Sequence, residues 1–155
     1  MGHEVSVAVR ADVAGSGIAV GAGPLRELIG RSLGLLPRPV VRVHLEIVGD
    51  AEMDRLHRLH SGIPGTTDVL TFPAHAEGEP IDVDIVACAD EAARRAAEFG
   101  HGIDRELLLY AVHGLLHCCG HDDHEPAAHE RMHAEEDRIL GALGVGATFR
   151  PEGPR

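Results

Sequence analysis

Six of the twelve histidines in this 155-residue chain fall between positions 113 and 133. Two of them, His113 and His117, stand four residues apart in a stretch that is otherwise apolar. In an α-helix this spacing places both imidazoles on one face, one turn apart, so that their nitrogens reach a common point. Neutral imidazole nitrogens bind Zn²⁺ at about 2.0–2.1 Å, so the spacing indicates a metal site.

The residues that follow this pair can complete the site. Gly120 can end the helix in the left-handed conformation and turn the chain back. The next four residues, 121–124, read His-Asp-Asp-His and offer further zinc ligands. Three protein ligands with one open position are typical of catalytic zinc, on which a bound water loses its proton near neutral pH.

The sequence therefore predicts one Zn²⁺ per chain, bound by His113, His117 and a third residue. His121, Asp122, Asp123 and His124 are all candidates for the third ligand. His113 and His117 are thereby the predicted catalytic centre, and Asp122 is a candidate for the group that orients or deprotonates the water.

His129 and His133 repeat the four-residue spacing near the end of the chain. Glutamates surround them, so we expect a solvated helix face there rather than a second metal site. Cys118 and Cys119 directly follow His117, which turns them away from the ligand face, and we expect small core residues.

Hydrophobic patterning predicts the elements that must position the histidines. The predicted strands are Glu4–Arg10, Val41–Val48, Asp68–Phe72 and Ile81–Cys88. The predicted helices are Pro24–Leu36, Asp50–His60, Asp90–Phe99, Arg105–Cys119 and Pro126–Leu143. Four strands and about five helices, with the strands in the first 90 residues, indicate a single α+β domain over 1–155.

Charge and composition restrict the ways in which this chain could bind nucleic acid. The chain carries 25 acidic and 14 basic residues, a net charge of −11, and every basic residue is Arg. Phosphate contacts dominate nucleic-acid affinity, so a nucleic-acid role needs a local Arg patch or a docking partner. Aromatic residues make up only 3% with no Trp, which disfavours a base-stacking platform.

The same composition predicts a cytoplasmic protein. Apolar runs are far shorter than the roughly 18 residues of a membrane span, and the N-terminus shows no signal-peptide pattern. Three cysteines, two of them adjacent, do not form a disulfide framework, and a reducing compartment is the simpler interpretation.

Three ordered segments resemble one known family. The segment 113–124, H-G-L-L-H-C-C-G-H-D-D-H, resembles the H-G-x-L-H-x-x-G-[Y/H]-D-H signature of the YbeY family, bacterial single-strand-specific endoribonucleases. The segment 67–73, T-D-V-L-T-F-P, resembles the family's P-T-D-V-L-S-F-P. The segment 82–86, D-V-D-I-V, resembles its L-G-D-I-x-I strand. The similarity runs from about Val41 to Leu143.

This resemblance implies a metal-dependent endoribonuclease that acts on single-stranded or ribosomal RNA in 3′-end maturation of 16S ribosomal RNA and in ribosome quality control. It implies an α+β fold with one mixed four-stranded sheet and a zinc site at the end of a central helix. The implied partners are the ribosomal subunit or ribosome-associated proteins, with no role for DNA or a membrane.

Three positions depart from the family pattern. Register places Asp123 where the family has its third His, Val83 where it has a Gly, and Ser61 where it usually has an Arg. The resemblance therefore implies Asp123 as the third metal ligand, with His124, one residue further on, as the alternative. A guanidinium can bind phosphate bidentately. Arg58 and Arg55, on the preceding helix, are candidates to replace that Arg.

Two other parts of the matching segments suggest roles near the substrate. Thr67 and Asp68 are candidates for substrate-binding residues. Asp84 lies in an apolar strand, where a carboxylate is costly unless it is paired. We therefore expect Asp84 to accept a hydrogen bond from the outer ring nitrogen of a ligand His.

Two alternative functions remain open on the sequence. One is a zinc-containing ribosome-assembly factor without catalysis, and the other is a zinc hydrolase of another substrate class. The zinc-protease pattern H-E-x-x-H takes its general base from the Glu, and the corresponding residue here is Gly114. A protease of that mechanism is therefore disfavoured.

Overall fold

The computed structural model describes residues 2–121 and 124–145 of the chain. The sequence-based predictions for Asp122 and Asp123 therefore fall on residues outside the described part. Within that part, the predicted α+β architecture is confirmed.

The four predicted strands and five predicted helices all form, with ends shifted by a few residues. The strands are β1 (Glu4–Val9), β2 (Val40–Val48), β3 (Val69–Pro73) and β4 (Ile81–Cys88). The helices are α1 (Ala11–Ala14), α2 (Ala22–Ser32), α3 (Asp50–Ser61), α4 (Ala89–Phe99), α5 (Ile103–Cys118) and α6 (Pro126–Ala142). Helix α1 was not predicted, because a single turn carries no detectable periodicity. A 3₁₀ turn at Leu33–Leu35 continues α2.

One mixed sheet has the strand order β1-β2-β4-β3. Strands β1, β2 and β4 run parallel, and β3 pairs antiparallel with β4 at the edge. Side chains alternate between the two faces of the sheet. Ile85 thus joins the main core on the face that α5 covers, whereas Val86 joins a smaller cluster with Met53 of α3 on the other face.

Helix α5 is the centre of the fold. It contacts α2, α4, α6, β3 and β4. A helix that is apolar on all sides belongs in a core rather than at a surface. Its buried apolar residues are Leu107, Leu108, Leu109, Tyr110, Ala111, Val112, Leu115 and Leu116. No helix in the described residues is long and apolar enough to cross a bilayer.

Gly120 ends α5 as the sequence predicts. Its φ of +97° lies in the left-handed region that favours glycine. The turn is closed by two backbone bonds, from Gly120 N to His117 O at 3.0 Å and from His121 N to Leu116 O at 3.0 Å. The chain therefore folds back over the last turn of the helix.

Gly114 lies where α5 approaches the sheet most closely. A Cβ atom built there would meet Ile85 Cδ1 and Thr71 Oγ1 at 3.0 Å each. These contacts are tighter than ordinary van der Waals packing, so the helix can lie at this distance only because residue 114 has no side chain. Gly114 therefore sets the depth of the two flanking histidines.

We predict that Gly114→Ala destabilises the protein by about 1–2 kcal/mol, because overpacking the α5–sheet contact outweighs the helix propensity of alanine. Gly141→Ala is the matched control, because nothing lies within 4 Å of a Cβ at that position of α6. That control should be neutral or stabilising by up to about 1 kcal/mol. Urea unfolding of both variants measures the difference, and equal stability would contradict the packing argument.

Candidate metal centre

His113 and His117 converge at the end of α5. Their Nε2 atoms lie 3.1 Å apart. The ring centroids are 4.6 Å apart and the ring planes cross at 84°. Both side chains are half-buried. The structure thus brings together the two histidines that the sequence places on one helix face.

The outer nitrogen of each ring has a hydrogen-bond acceptor. His113 Nδ1 lies 2.7 Å from Glu136 Oε2, and His117 Nδ1 lies 3.0 Å from the carbonyl oxygen of His121. A carbonyl oxygen and an ionised carboxylate can only accept, so both Nδ1 atoms carry the proton and donate. Each Nε2 is then the ring nitrogen that carries the lone pair.

Glu136 is ionised although it is buried. Burial acts to raise its pKa, but the hydrogen bonds from His113 and His133 outweigh this effect and lower the pKa to about 2. Its side chain is only 2% exposed. A carboxylate in this position fixes the tautomer and the orientation of its histidine and increases the basicity of the ligand nitrogen.

The donor set fits a divalent transition metal. Two neutral Nε2 lone pairs that face each other at 3.1 Å repel unless a proton or a metal ion lies between them. Imidazole ligands whose outer N–H is bonded to a carboxylate or a backbone carbonyl are typical of zinc sites. Of the two alternatives for the third ligand, His124 is exposed and Asp123 lies outside the described residues.

A cavity of about 180 Å³ adjoins this centre. It lies between α5, α6, α4 and the start of β3. Its lining residues are Asp68, Arg95, Leu109, Tyr110, His113, His129, His133 and Glu136. The hydroxyl of Tyr110 is buried with no hydrogen-bond partner in the described part of the chain, and burial raises the pKa of this phenol, so it stays neutral.

The structure places Asp68 and Arg95 at this cavity. Asp68 was predicted beside the substrate. Its Oδ1 accepts from Val69 N at 2.8 Å and lies 3.4 Å from the hydroxyl of Thr67. Arg95 was missed by sequence reasoning, because nothing in the pattern of α4 shows which arginine faces α5.

The two arginines predicted to bind phosphate lie elsewhere. Arg55 bonds Glu52 at 2.7 Å and Arg58 bonds Asp54 at 3.1 Å, each within α3. Helix α3 packs on the sheet face opposite to α5. Neither arginine lines the cavity beside the histidines.

The expected contact of Asp84 with a ligand histidine is wrong. Its carboxylate accepts from the Arg42 guanidinium at 2.9 and 3.2 Å. Strand alternation places Asp84 on the face away from α5, since its neighbour Ile85 packs beneath Gly114. The acceptor for a ligand histidine is Glu136 instead. It is 23 residues from His113 in sequence, and only the docking of α6 on α5 brings the two together.

The expectation of a solvated face is also wrong for His133, which is buried. Its Nδ1 lies 2.9 Å from Glu136 Oε1. His129, one turn earlier, is exposed as expected.

A second group of possible metal ligands lies at the far end of β4. Ligand atoms of Asp50, Cys88 and Asp90 lie within 4.8 Å of one another. Asp50 bonds both terminal nitrogens of Arg94 at 2.9 Å, and Asp90 accepts from Asp50 N at 2.8 Å. Burial chiefly raises the pKa of Cys88 to about 12, so the thiol stays protonated and is a poor ligand. Local contacts therefore account for this group without a metal.

Comparison with known proteins gives a family match. The family model described as Endoribonuclease YbeY matches residues 28–144. A protein named Endoribonuclease YbeY from Symbiobacterium thermophilum is 37% identical over 128 residues, covering 77% of this chain and 80% of that one. Another of that name from Halorhodospira halophila is 43% identical over 107 residues, covering 65% and 70%.

A solved structure supports the fold. The solution structure of a Thermotoga maritima protein aligns with a TM-score of 0.59 at 23% identity, covering 97% of this chain and 99% of that one. At this identity the likeness concerns the fold alone.

We predict that Glu136→Gln lowers the affinity for Zn²⁺ by about 10–100-fold, because a Gln amide offers only one acceptor oxygen to two Nδ1 donors. Competition with a chromophoric chelator measures this affinity. Glu135→Gln is the matched control, because the Glu135 carboxylate bonds Arg138 at the surface of α6. An equal loss of Zn²⁺ affinity in both variants would show that Glu136 acts only through its contribution to the net charge of the protein.

Proposed function

This chain belongs to the endoribonuclease YbeY family, and we propose that it is a metal-dependent endoribonuclease that hydrolyses phosphodiester bonds of single-stranded RNA. The proposed task is 3′-end processing of small-subunit ribosomal RNA and ribosome quality control in the cytoplasm, with the ribosomal subunit or its associated proteins as partners. The proposed catalytic unit is the one domain that spans 1–155.

One observation carries the proposal. Two histidines on the central helix aim Nε2 atoms at one point, with an outer acceptor on each ring, beside a cavity that holds a carboxylate, a phenol and a guanidinium. The proposed ligands of a Zn²⁺ ion are His113 and His117 with Asp123 or His124. When bound, such an ion lowers the pKa of a water molecule and polarises a phosphodiester oxygen.

The residues around the ion have separate proposed tasks. Glu136 and the His121 carbonyl hold the rings in the tautomer that presents Nε2. Gly114 leaves no carboxylate at the place where zinc proteases carry their base, so the proton acceptor has to come from another residue. Asp122, next to the third-ligand position, is proposed for that task. Thr67 and Asp68 are proposed to contact the RNA.

Arg95 is better placed than Arg55 or Arg58 to bind a phosphate. Burial acts to lower the pKa of Arg95, but its hydrogen bond to Glu91 and the acidic groups around it together outweigh this effect and raise the pKa, so the guanidinium is charged. Its Nε bonds Glu91 at 2.8 Å, and the side chain is 28% exposed at the cavity wall. Arg55 and Arg58 stay candidates for more distant phosphates along the strand.

The relatives named above all carry the name endoribonuclease. The comparisons therefore favour neither a non-catalytic assembly factor nor a hydrolase of another substrate class.

The decisive test is cleavage of a single-stranded RNA by chelator-treated protein reloaded with Zn²⁺. His113→Ala and His117→Ala should each lose more activity than the roughly 10–100-fold expected for an outer hydrogen-bond partner. His3→Ala, at the start of the chain, is the matched control and should keep full activity. Cleavage by the two ligand variants at the wild-type rate would overturn the proposal.

The same samples can identify the third metal ligand, the attacking nucleophile and the preference for single-stranded RNA. Of Asp123→Ala and His124→Ala, only the variant that removes the third ligand should lose bound metal. A 2′,3′-cyclic phosphate on the upstream product would show attack by the RNA 2′-hydroxyl, and a 5′-phosphate on the downstream product would show attack by water. Duplex RNA of the same sequence should be cleaved more slowly.

We predict that Arg95→Ala weakens RNA binding and lowers the slope of log affinity against log salt by about 0.7, as expected for the loss of one single-strand phosphate contact. Arg58→Ala is the matched control, with an arginine of similar helix position and an i,i+4 carboxylate partner. Binding at several salt concentrations to the uncleaved RNA measures both slopes. A larger slope change for Arg58→Ala would place the phosphate on the α3 side of the sheet.

A further inference from the structure

His129 and His133 on α6 repeat the geometry of the first pair. Their Nε2 atoms lie 2.9 Å apart. The ring centroids are 4.2 Å apart and the planes cross at 85°, against 4.6 Å and 84° for His113 and His117. Two imidazoles held edge to face with converging Nε2 atoms are a preformed pair of metal ligands.

Glu136 serves both pairs. Its Oε2 accepts from His113 at 2.7 Å and its Oε1 accepts from His133 at 2.9 Å. The ionised carboxylate can only accept, so His133, like His113, donates its Nδ1 hydrogen and presents Nε2. The lone pair of His133 Nε2 therefore faces His129 Nε2 across 2.9 Å, where the two nitrogens can share a proton or bind one metal ion.

The surrounding cavity has room and a partner for further ligands. Its volume of about 180 Å³ far exceeds the 10–15 Å³ that one water needs. The Tyr110 hydroxyl, on a residue that is 1% exposed, has no hydrogen-bond partner within residues 2–121 and 124–145. A buried hydroxyl left unpaired is costly, and a water on a bound ion would satisfy it.

The charged groups on the cavity wall are compatible with a bound cation. Arg95 is a positive group there, but Glu91 neutralises it at 2.8 Å. The carboxylates of Asp68 and Glu136 lie on the same wall. Two imidazoles select a transition metal such as Zn²⁺, Ni²⁺ or Cu²⁺ over Mg²⁺ or Ca²⁺, which prefer oxygen ligands.

We propose that His129 and His133 form a second site for a divalent transition metal, which shares the Glu136 carboxylate with the His113–His117 site. Metal binding at this second site does not require that the protein cleaves RNA. Two protein ligands hold the ion and waters complete its coordination, so its affinity is lower than that of the first site.

The test is Zn²⁺ titration of the metal-free full chain, followed by equilibrium dialysis and by the visible spectrum of the Co²⁺ form. Wild type should bind two equivalents. His129→Ala and His129→Gln should bind one, with the affinity of the tight site unchanged within about threefold. The double variant His113→Ala/His117→Ala should keep one weak equivalent. His57→Ala, on α3, is the matched control and should bind two.

Glu136→Gln tests whether the two sites share this carboxylate. It should lower the Zn²⁺ affinity of both sites, whereas His129→Ala should abolish binding at the second site alone. Two unconnected sites would not both be weakened by one substitution. Circular dichroism of each variant confirms that it is folded. A single equivalent in wild type, or two equivalents in both His129 variants, would overturn the second site. RNA cleavage is measured on the same samples, so a failure of the proposed nuclease is seen separately.

Discussion

The buried carboxylate of Glu136 is the contact on which the site depends. A carboxylate in an apolar interior is unfavourable unless donors compensate its lost hydration. The donors here are two histidines on different helices, His113 on α5 and His133 on α6. Because each bond fixes an imidazole tautomer, the interaction that joins the helices also makes His113 and His133 present Nε2. One group therefore contributes to both the docking of the helices and the ligand geometry.

The close approach of α5 to the sheet is the second constraint. A Cβ atom at Gly114 would lie only 3.0 Å from Ile85 Cδ1 and Thr71 Oγ1, and this position lies between the two histidines of the central pair. A side chain there would require either the helix or the side chains of Ile85 and Thr71 to shift. The missing glutamate at this position, which argues against a zinc-protease mechanism, thus also has a steric cause.

Much of this architecture is encoded in local patterns. The apolar α5, the i,i+4 histidines and the left-handed Gly120 are visible in the sequence, because helix periodicity and glycine conformation are short-range properties. The strands could be placed for the same reason, within one or two residues of their observed ends.

The partners of the site residues could not be predicted in this way. A sequence shows that Asp84 needs a donor but not which one. Its register partner on β2 is His44, and the donor is the long side chain of Arg42, two residues earlier on the same strand. Glu136 and Arg95 reach the cavity only because α6 and α4 dock against α5. His133 was misjudged for the same reason, since its acidic neighbours suggested solvent while the helix packing buries it.

The net negative charge of the protein limits how its surface can bind RNA. Most of the described arginines with side-chain contacts are neutralised by carboxylates. These arginines are Arg10, Arg42, Arg55, Arg58, Arg94, Arg95 and Arg138. With a net charge of −11, such a surface attracts a polyanion weakly at long range. Recognition of RNA then has to arise within the cavity, where an ion on the histidines would supply the positive charge that the surface lacks. This dependence would link the affinity for RNA to the loading of the histidines with metal.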